Sequence, residues 1–123
     1  MKIILPIHYE ITYKKKNPKK ILVWLNWYRN AHYHINDKVK KHYHDLIKLQ
    51  LDDIKLDTIT PEYKVYVWNK LTDWPNVRAV IEKYFLDALV ENWVIKNDTC
   101  DYVIWDSSYY YIDKGYPRIE ITI

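Results

Sequence analysis

A single glycine, Gly115, serves a chain of 123 residues. Glycine-rich phosphate loops, dinucleotide-binding fingerprints, EF-hand loops and collagen repeats all depend on glycines at set offsets, which Gly115 alone does not supply. The lone cysteine, Cys100, likewise removes an internal disulfide framework and cysteine-rich zinc sites, and it reads as a small buried hydrophobe.

Size sets the next bound. A chain of 15.2 kDa folds to roughly 7,000 Å² of accessible surface from about 22,000 Å² unfolded, enough burial for one domain and too little chain for two. Hydrophobic residues at 49% and charged residues at 28% describe a folded protein, not a disordered one. The longest apolar runs, Ile3 to Pro6 and Ile21 to Leu25, are far too short to cross a membrane. Met1-Lys2 leads into a short strand-like run with no cleavage site, so a cytoplasmic protein is expected.

Charge divides the chain. Residues 1–50 hold eleven Lys or Arg against three Asp or Glu, a balance of +8, together with all five histidines. Residues 51–123 hold eight basic and thirteen acidic residues, a balance of −5. Such a split suits a polyanion on one surface and a cationic group on another, although an accident of solubility produces the same numbers. Aromatic residues make up 16% of the chain, and several stand among cations: Tyr13-Lys14-Lys15-Lys16, Trp27-Tyr28-Arg29 and Lys40-Lys41-His42-Tyr43-His44. Cations hold phosphates and planar rings stack on unpaired bases, so this mixture points to nucleic acid.

Periodicity gives the order of elements. Lys2 to Glu10 alternates as a strand, Ile11 to Lys20 reads as an exposed basic loop, and Asn26 or Asn36 is a candidate cap for helices that run on to Leu51. Tyr63 to Trp68 alternates again, Pro75 suits the first turn of a helix over about 76–92, and Cys100 to Ile112 and Arg118 to Ile123 read as closing strands around a turn at Asp113-Lys114-Gly115. The order β-α-β-α-β-β predicts one α/β (α+β) domain over residues 1–123, with a mixed sheet of about four strands flanked by helices.

The 76–92 helix carries the chemistry. Val77, Val80, Ile81, Tyr84, Phe85, Ala88 and Leu89 form one broad apolar face, which is core. Asn76, Lys83 and Asp87 fall on another stripe, where a Lys83–Asp87 pair across one turn is the plain structural reading. Asp73 precedes the helix and Asp98 follows it. Two carboxylates brought within ~5 Å repel by about 3 kcal/mol at an effective dielectric of 20, so a cluster needs a proton or a cation, and hard oxygen donors favour Mg²⁺ or Mn²⁺.

At these residues the chain resembles the RusA-like Holliday junction resolvases, small endonucleases often encoded by phages. The resemblance covers nearly the whole length. It rests on Leu25-Asn26-Trp27-Tyr28-Arg29-Asn30-Ala31-His32 with Lys38-Val39-Lys40-Lys41-His42-Tyr43-His44, on Asp73-x-x-Asn76, on Lys83-Tyr84-Phe85-Leu86-Asp87-Ala88-Leu89-Val90-Glu91, on Asn97-Asp98, and on the closing Pro117-Arg118-Ile119-Glu120-Ile121-Thr122-Ile123. The resemblance implies a homodimer that binds four-way DNA junctions and nicks two strands with Mg²⁺ (or Mn²⁺). By position it implies Asp73, Asp98 and Lys83 as catalytic residues, with Asp73, Asp98 and Asp87 as metal ligands. The usual Asp-x-Asp-Asn is here Asp73-Trp74-Pro75-Asn76, Asn97 replaces the first acid of a usual Asp-Asp pair, and Trp93 stands where glycine is common.

Lys14, Lys15, Lys16, Lys19, Lys20, Arg29, Lys38 and Lys41 are the expected phosphate contacts. Two other readings stay open beside the Mg²⁺-dependent junction endonuclease. One is a catalytically impaired relative that binds branched DNA or a partner protein. The other is a single-strand nucleic-acid binder whose exposed aromatics stack bases. The pairs His32/His34 and His42/His44 imitate a zinc motif, but residues two apart on a helix point about 200° from each other, so 42 and 44 are expected to contact solvent or phosphate instead.

Overall fold

The computed structural model describes residues 1–123. In chain order it contains β1 (Lys2–Pro6), β2 (His8–Ile11), β3 (Lys19–Leu22), α1 (Leu25–Asn30), α2 (Tyr33–Gln50), β4 (Glu62–Val67), α3 (Trp74–Glu91), β5 (Ser107–Ile112) and β6 (Arg118–Thr122). This is the α+β single domain that the alternation predicts. A four-stranded sheet in the order β1-β6-β4-β5 is mixed: β4 and β5 are parallel, the other neighbours antiparallel. Parallel strands need a long crossover, and α3 supplies it.

Period-two side chains give the sheet two unlike faces. Ile3 and Leu5, Ile119 and Ile121, and Tyr63, Val65 and Val67 are fully buried against the helices. All seven apolar α3 residues named above join them in one core, with Val39, Tyr43 and Ile47 of α2. Tyr43 stacks on Tyr84 at 5.4 Å, its hydroxyl donates to Pro6 O at 2.5 Å, and the Tyr84 hydroxyl donates to Asn36 Oδ1 at 2.9 Å. These bonds let two phenols enter a dry helix–helix seam. Burial pushes both phenols' pKa values up, each with help from a neighbouring tyrosine. At the sheet margin, the Gln50 amide bonds both Ile4 N and Ile4 O, which closes the outer edge of β1. No such cover lies on β5, the opposite edge.

The structure departs from the sequence expectations at several places. Ile11 to Lys20 is not all loop: β2 and β3 pair as a separate antiparallel ribbon, with only 12–18 as its connection. Neither asparagine caps a helix; Trp24 precedes α1, and the His32 ring accepts from His34 N at 3.3 Å to start α2. The strand expected from Cys100 begins only at Ser107, and residues 100–106 are irregular apart from one bridge at Val103. Cys100 is exposed, because it lies in that irregular stretch and not on a core-facing strand. Lys83 and Asp87 do not pair; Asp87 turns to Lys40 of α2 at 3.9 Å. The total surface, 8060 Å², exceeds the size expectation by roughly 1,000 Å².

No helix is long and apolar enough to cross a membrane.

Candidate nucleic-acid interface

The basic residues form a path. Lys14, Lys15 and Lys16 sit exposed in the connection of the β2–β3 ribbon, and Lys19 and Lys20 open β3. Lys14 lines a cleft with Tyr9, Ile11, Tyr13, Ile35 and Lys38, so the ribbon and the first turns of α2 meet there. Tyr9 packs edge-on against His42 at 5.0 Å, which fixes the ribbon to α2. Lys20 lies close enough to His8 that, after partial burial, its charge further lowers that imidazole's pKa. Arg29 is exposed on α1.

From Lys38 the helix continues into a groove between α2 and the last turns of α3. One stretch of about 530 Å³ is lined only by polar residues of both charges: Lys40, Lys41 and Lys48 with Asp37, Asp45 and Glu91, beside His44 and Asn92. The adjoining stretch shares Lys40, His44 and Glu91 and adds Asp87, Asn97 and Asp98. On α2, positions 37, 40, 41, 44, 45 and 48 follow helical spacing down one side; on α3, Asp87 and Glu91 are one turn apart. His44 Nδ1 meets Glu91 Oε2 at 2.5 Å, while His44 Nε2 is buried with no partner. His42 and His44 therefore face different neighbours, Tyr9 and Glu91, as their spacing requires.

The end of α3 places Asp98. Val94 N bonds Leu89 O at 2.9 Å and Trp93 N bonds Val90 O at 3.1 Å, with Val94 and Leu89 both buried. This is the paired-bond helix stop that usually has glycine at its left-handed residue. Here that residue is Trp93, at φ 61°, a conformation that costs an L side chain about 1 kcal/mol. The reversal sends 94–98 back along the helix, and the Asn97 side chain accepts from Asp98 N at 2.8 Å.

Asp73 lies elsewhere. It is the residue before α3, and its carboxylate accepts from Asn76 Nδ2 at 2.5 Å. Fourteen helical residues separate it from Asp87, about 21 Å along the axis. The structure thus brings Asp87 and Asp98 to one groove and leaves Asp73 at the far end. Lys83 is exposed on α3 and is not among the groove's lining residues.

No group of three or more His, Cys, Asp or Glu side chains is placed to hold a metal ion together. A magnesium ion does not require three protein ligands: it is ordinarily held by one or two carboxylates and completes its shell with water and substrate phosphate. Asp87 and Asp98, beside the Asn97 amide, supply oxygen donors of that kind, so the groove's chemistry fits Mg²⁺ or Mn²⁺.

Sequence reasoning did not bring Lys40, His44 and Glu91 together in one groove, although the i,i+4 spacing of 40/44/48 and 87/91 marks two facing polar stripes. It also missed a second cluster midway along α3. Arg78 bonds Asp106 and reaches Glu82 Oε2 at 3.1 Å, with its guanidinium carbon 4.9 Å from the Tyr63 ring centre. Burial, offset by Arg78 and reinforced by the Asp106 carboxylate within hydrogen-bonding reach, raises the pKa of Glu82. Only Arg78–Glu82 was readable from spacing, since Asp106 arrives through the irregular 92–106 segment.

No family model matches the chain, and no curated protein matches it.

Proposed function

We propose that this chain is a RusA-like nuclease of branched DNA that uses Mg²⁺ or Mn²⁺ in the α2–α3 groove. The observation that carries the reading is continuity. Lysines of the β2–β3 ribbon and of α2 lead along the helix toward a groove of mixed charge whose lining includes both Asp87 and Asp98. Phosphates attracted by Lys14 to Lys16, Lys38 and Lys41 are led toward hard oxygen donors.

A bound divalent ion would activate water and neutralise charge on the scissile phosphate. The chain's own part is positional. Asp87 and Asp98 hold the ion, and Lys40, 3.9 Å from Asp87, adds a cation at the groove wall. Lys41 and Lys48 lie along the same groove and hold the DNA backbone. Asp73 and Asn76 shape the start of α3. A four-way junction presents two symmetric strands, so a homodimer is the assembly proposed for paired nicks.

A second reading, binding of branched DNA without cleavage, draws on one observation: Asp73 stands about 21 Å along α3 from Asp87, outside metal-sharing distance. Incubation with a labelled four-way junction, with and without Mg²⁺ or Mn²⁺, separates the two. Metal-dependent paired nicks support the nuclease. Tight junction binding with intact strands under both metals rejects it in favour of the binder.

A further inference from the structure

The sheet face turned away from the helices is unlike an ordinary solvent face. Across β1, β6, β4 and β5 its register rows are Lys2/Thr122/Glu62/Ser107, Ile4/Glu120/Lys64/Tyr109 and Pro6/Arg118/Tyr66/Tyr111. Toward β5, tyrosine replaces the aliphatic residues seen on the buried side. Tyr66 and Tyr111 stack at 5.1 Å and 24°. The Arg118 guanidinium carbon sits 3.7 Å from the Tyr66 ring centre and 4.6 Å from that of Tyr116. Tyr109, Tyr111 and Tyr116 nevertheless remain 49%, 43% and 56% exposed.

We propose that this face, with the exposed rings of Tyr109, Tyr111 and Tyr116 beside a covered Tyr66–Arg118 pair, is a stacking surface for the unpaired bases of single-stranded DNA. The choice of DNA rests on the function proposed above; the platform rests on the sheet alone. Three features select a base. First, the cluster is held in place before any ligand arrives, because Arg118 is itself fixed by Glu120 at 2.7 Å, Asp113 at 2.9 Å and Tyr116 O at 2.9 Å. Preorganised planes lose little entropy on stacking.

Second, the acids here are already neutralised. Glu120 is 6% exposed between Lys2 at 2.6 Å and Arg118, and Asp113 is bonded by Arg118. The Arg118 hydrogen bond holds the Asp113 carboxyl below its usual range. The bonds from Lys2 and Arg118 outweigh burial to do the same for Glu120. Lys64, opposite Tyr109, pairs with Glu62 at 3.6 Å, and Lys114 follows β5, so the carboxylates that a phosphate backbone meets here all have cationic partners. Third, a protein interface core is depleted of charge, whereas this face alternates charge with aromatic rings and keeps aliphatic residues only on β1. Bases stack on such rings whatever their identity.

The test is anisotropy of a labelled ten-nucleotide oligothymidine and of its abasic counterpart, both in EDTA, so that no cleavage chemistry enters. The thymidine strand should bind about 10-fold more tightly or better than the abasic one, in line with stacking at one or two bases. Tyr109→Ala and Tyr111→Ala should each close about 5-fold of that gap, and Tyr111→Phe should keep it. Replacing Lys14, Lys15 and Lys16 together by Gln should weaken both strands alike. Equal affinity for the two strands, or an unchanged gap in Tyr109→Ala, overturns the proposal. So does loss of a dimer in Tyr111→Ala during sedimentation with the gap intact, since the face would then be covered by a second copy. None of these outcomes depends on whether junctions are cut.

Discussion

The two ends of α3 both carry aspartate, and they use it differently. At the start, Asp73 is taken up locally by Asn76 at 2.5 Å, one turn away. At the finish, Asp87 and Asp98 come from separate segments, the helix and the reversed loop, and share a groove with Lys40 and His44 of α2. A carboxylate bound within its own turn organises a helix terminus; one that meets acids and bases from other elements is available to a ligand. The spacing Asp73-x-x-Asn76, so prominent in the sequence, is used here for a side-chain bond between the two residues at the start of α3. The acids proposed to hold the metal lie at the other end.

Substitution at the two ends should break or sharpen that contrast. The largest effect belongs to catalysis. Asp98→Asn should lower Mg²⁺-dependent junction cleavage by about 100-fold, whereas Asp73→Asn should stay within about 3-fold, read as initial nicking rates. The reverse order would move the site to the N-terminal end. Next comes the middle of the helix, where Arg78 lies between Glu82 and Asp106. Arg78→Ala should lose about 2 kcal/mol in urea unfolding, because two carboxylates are left facing one another without their cation.

A smaller change, of opposite sign, belongs to the helix stop. Trp93→Gly should gain about 1 kcal/mol, since glycine accepts the left-handed backbone that Trp93 adopts at φ 61°. If the reversal is what places Asp98, this variant should retain nicking. The smallest effect is in pH dependence. Burial foremost raises the pKa of Glu82, so its contribution to stability is complete below the ordinary glutamate range, near 4.5, and falls as pH rises through the folded value. Glu120, held low by Lys2 and Arg118, contributes in the opposite sense: its share is present above that range and is lost on acidification. Glu82→Gln should flatten the loss at rising pH and leave the acid limb in place, as followed by urea midpoints across pH 3–8.

What the sequence disclosed depended on how local the cause was. The apolar face of α3, Pro75 in its first turn and the Asp113 turn are set by residues within a few positions, and all three are found as read. The β2–β3 ribbon was hidden because its partners flank a run of lysines with no alternation, and pairing is decided across the loop. Asp98 could be suspected from the chain, but its meeting with Asp87 depends on Trp93 adopting a backbone usually left to glycine. The pairing of Asp106 with Arg78 and of His44 with Glu91 spans 28 and 47 residues. No periodicity signals such contacts. The tyrosine face was half visible: Tyr63 to Trp68 alternates legibly, but Tyr109-Tyr110-Tyr111 does not show which rings share a side until β5 is paired with β4.

The most direct measurement of where this molecule works is a titration of the ¹⁵N-labelled protein with Mn²⁺, without DNA. Paramagnetic broadening falls steeply with distance from the ion. It is expected to be strongest at the amides of Asp87, Glu91, Asn97 and Asp98, to be absent at Asp73 and Asn76, and to be abolished by Asp98→Asn. Broadening centred on Asp73, or none at millimolar Mn²⁺, would contradict a metal site at the C-terminal end of α3.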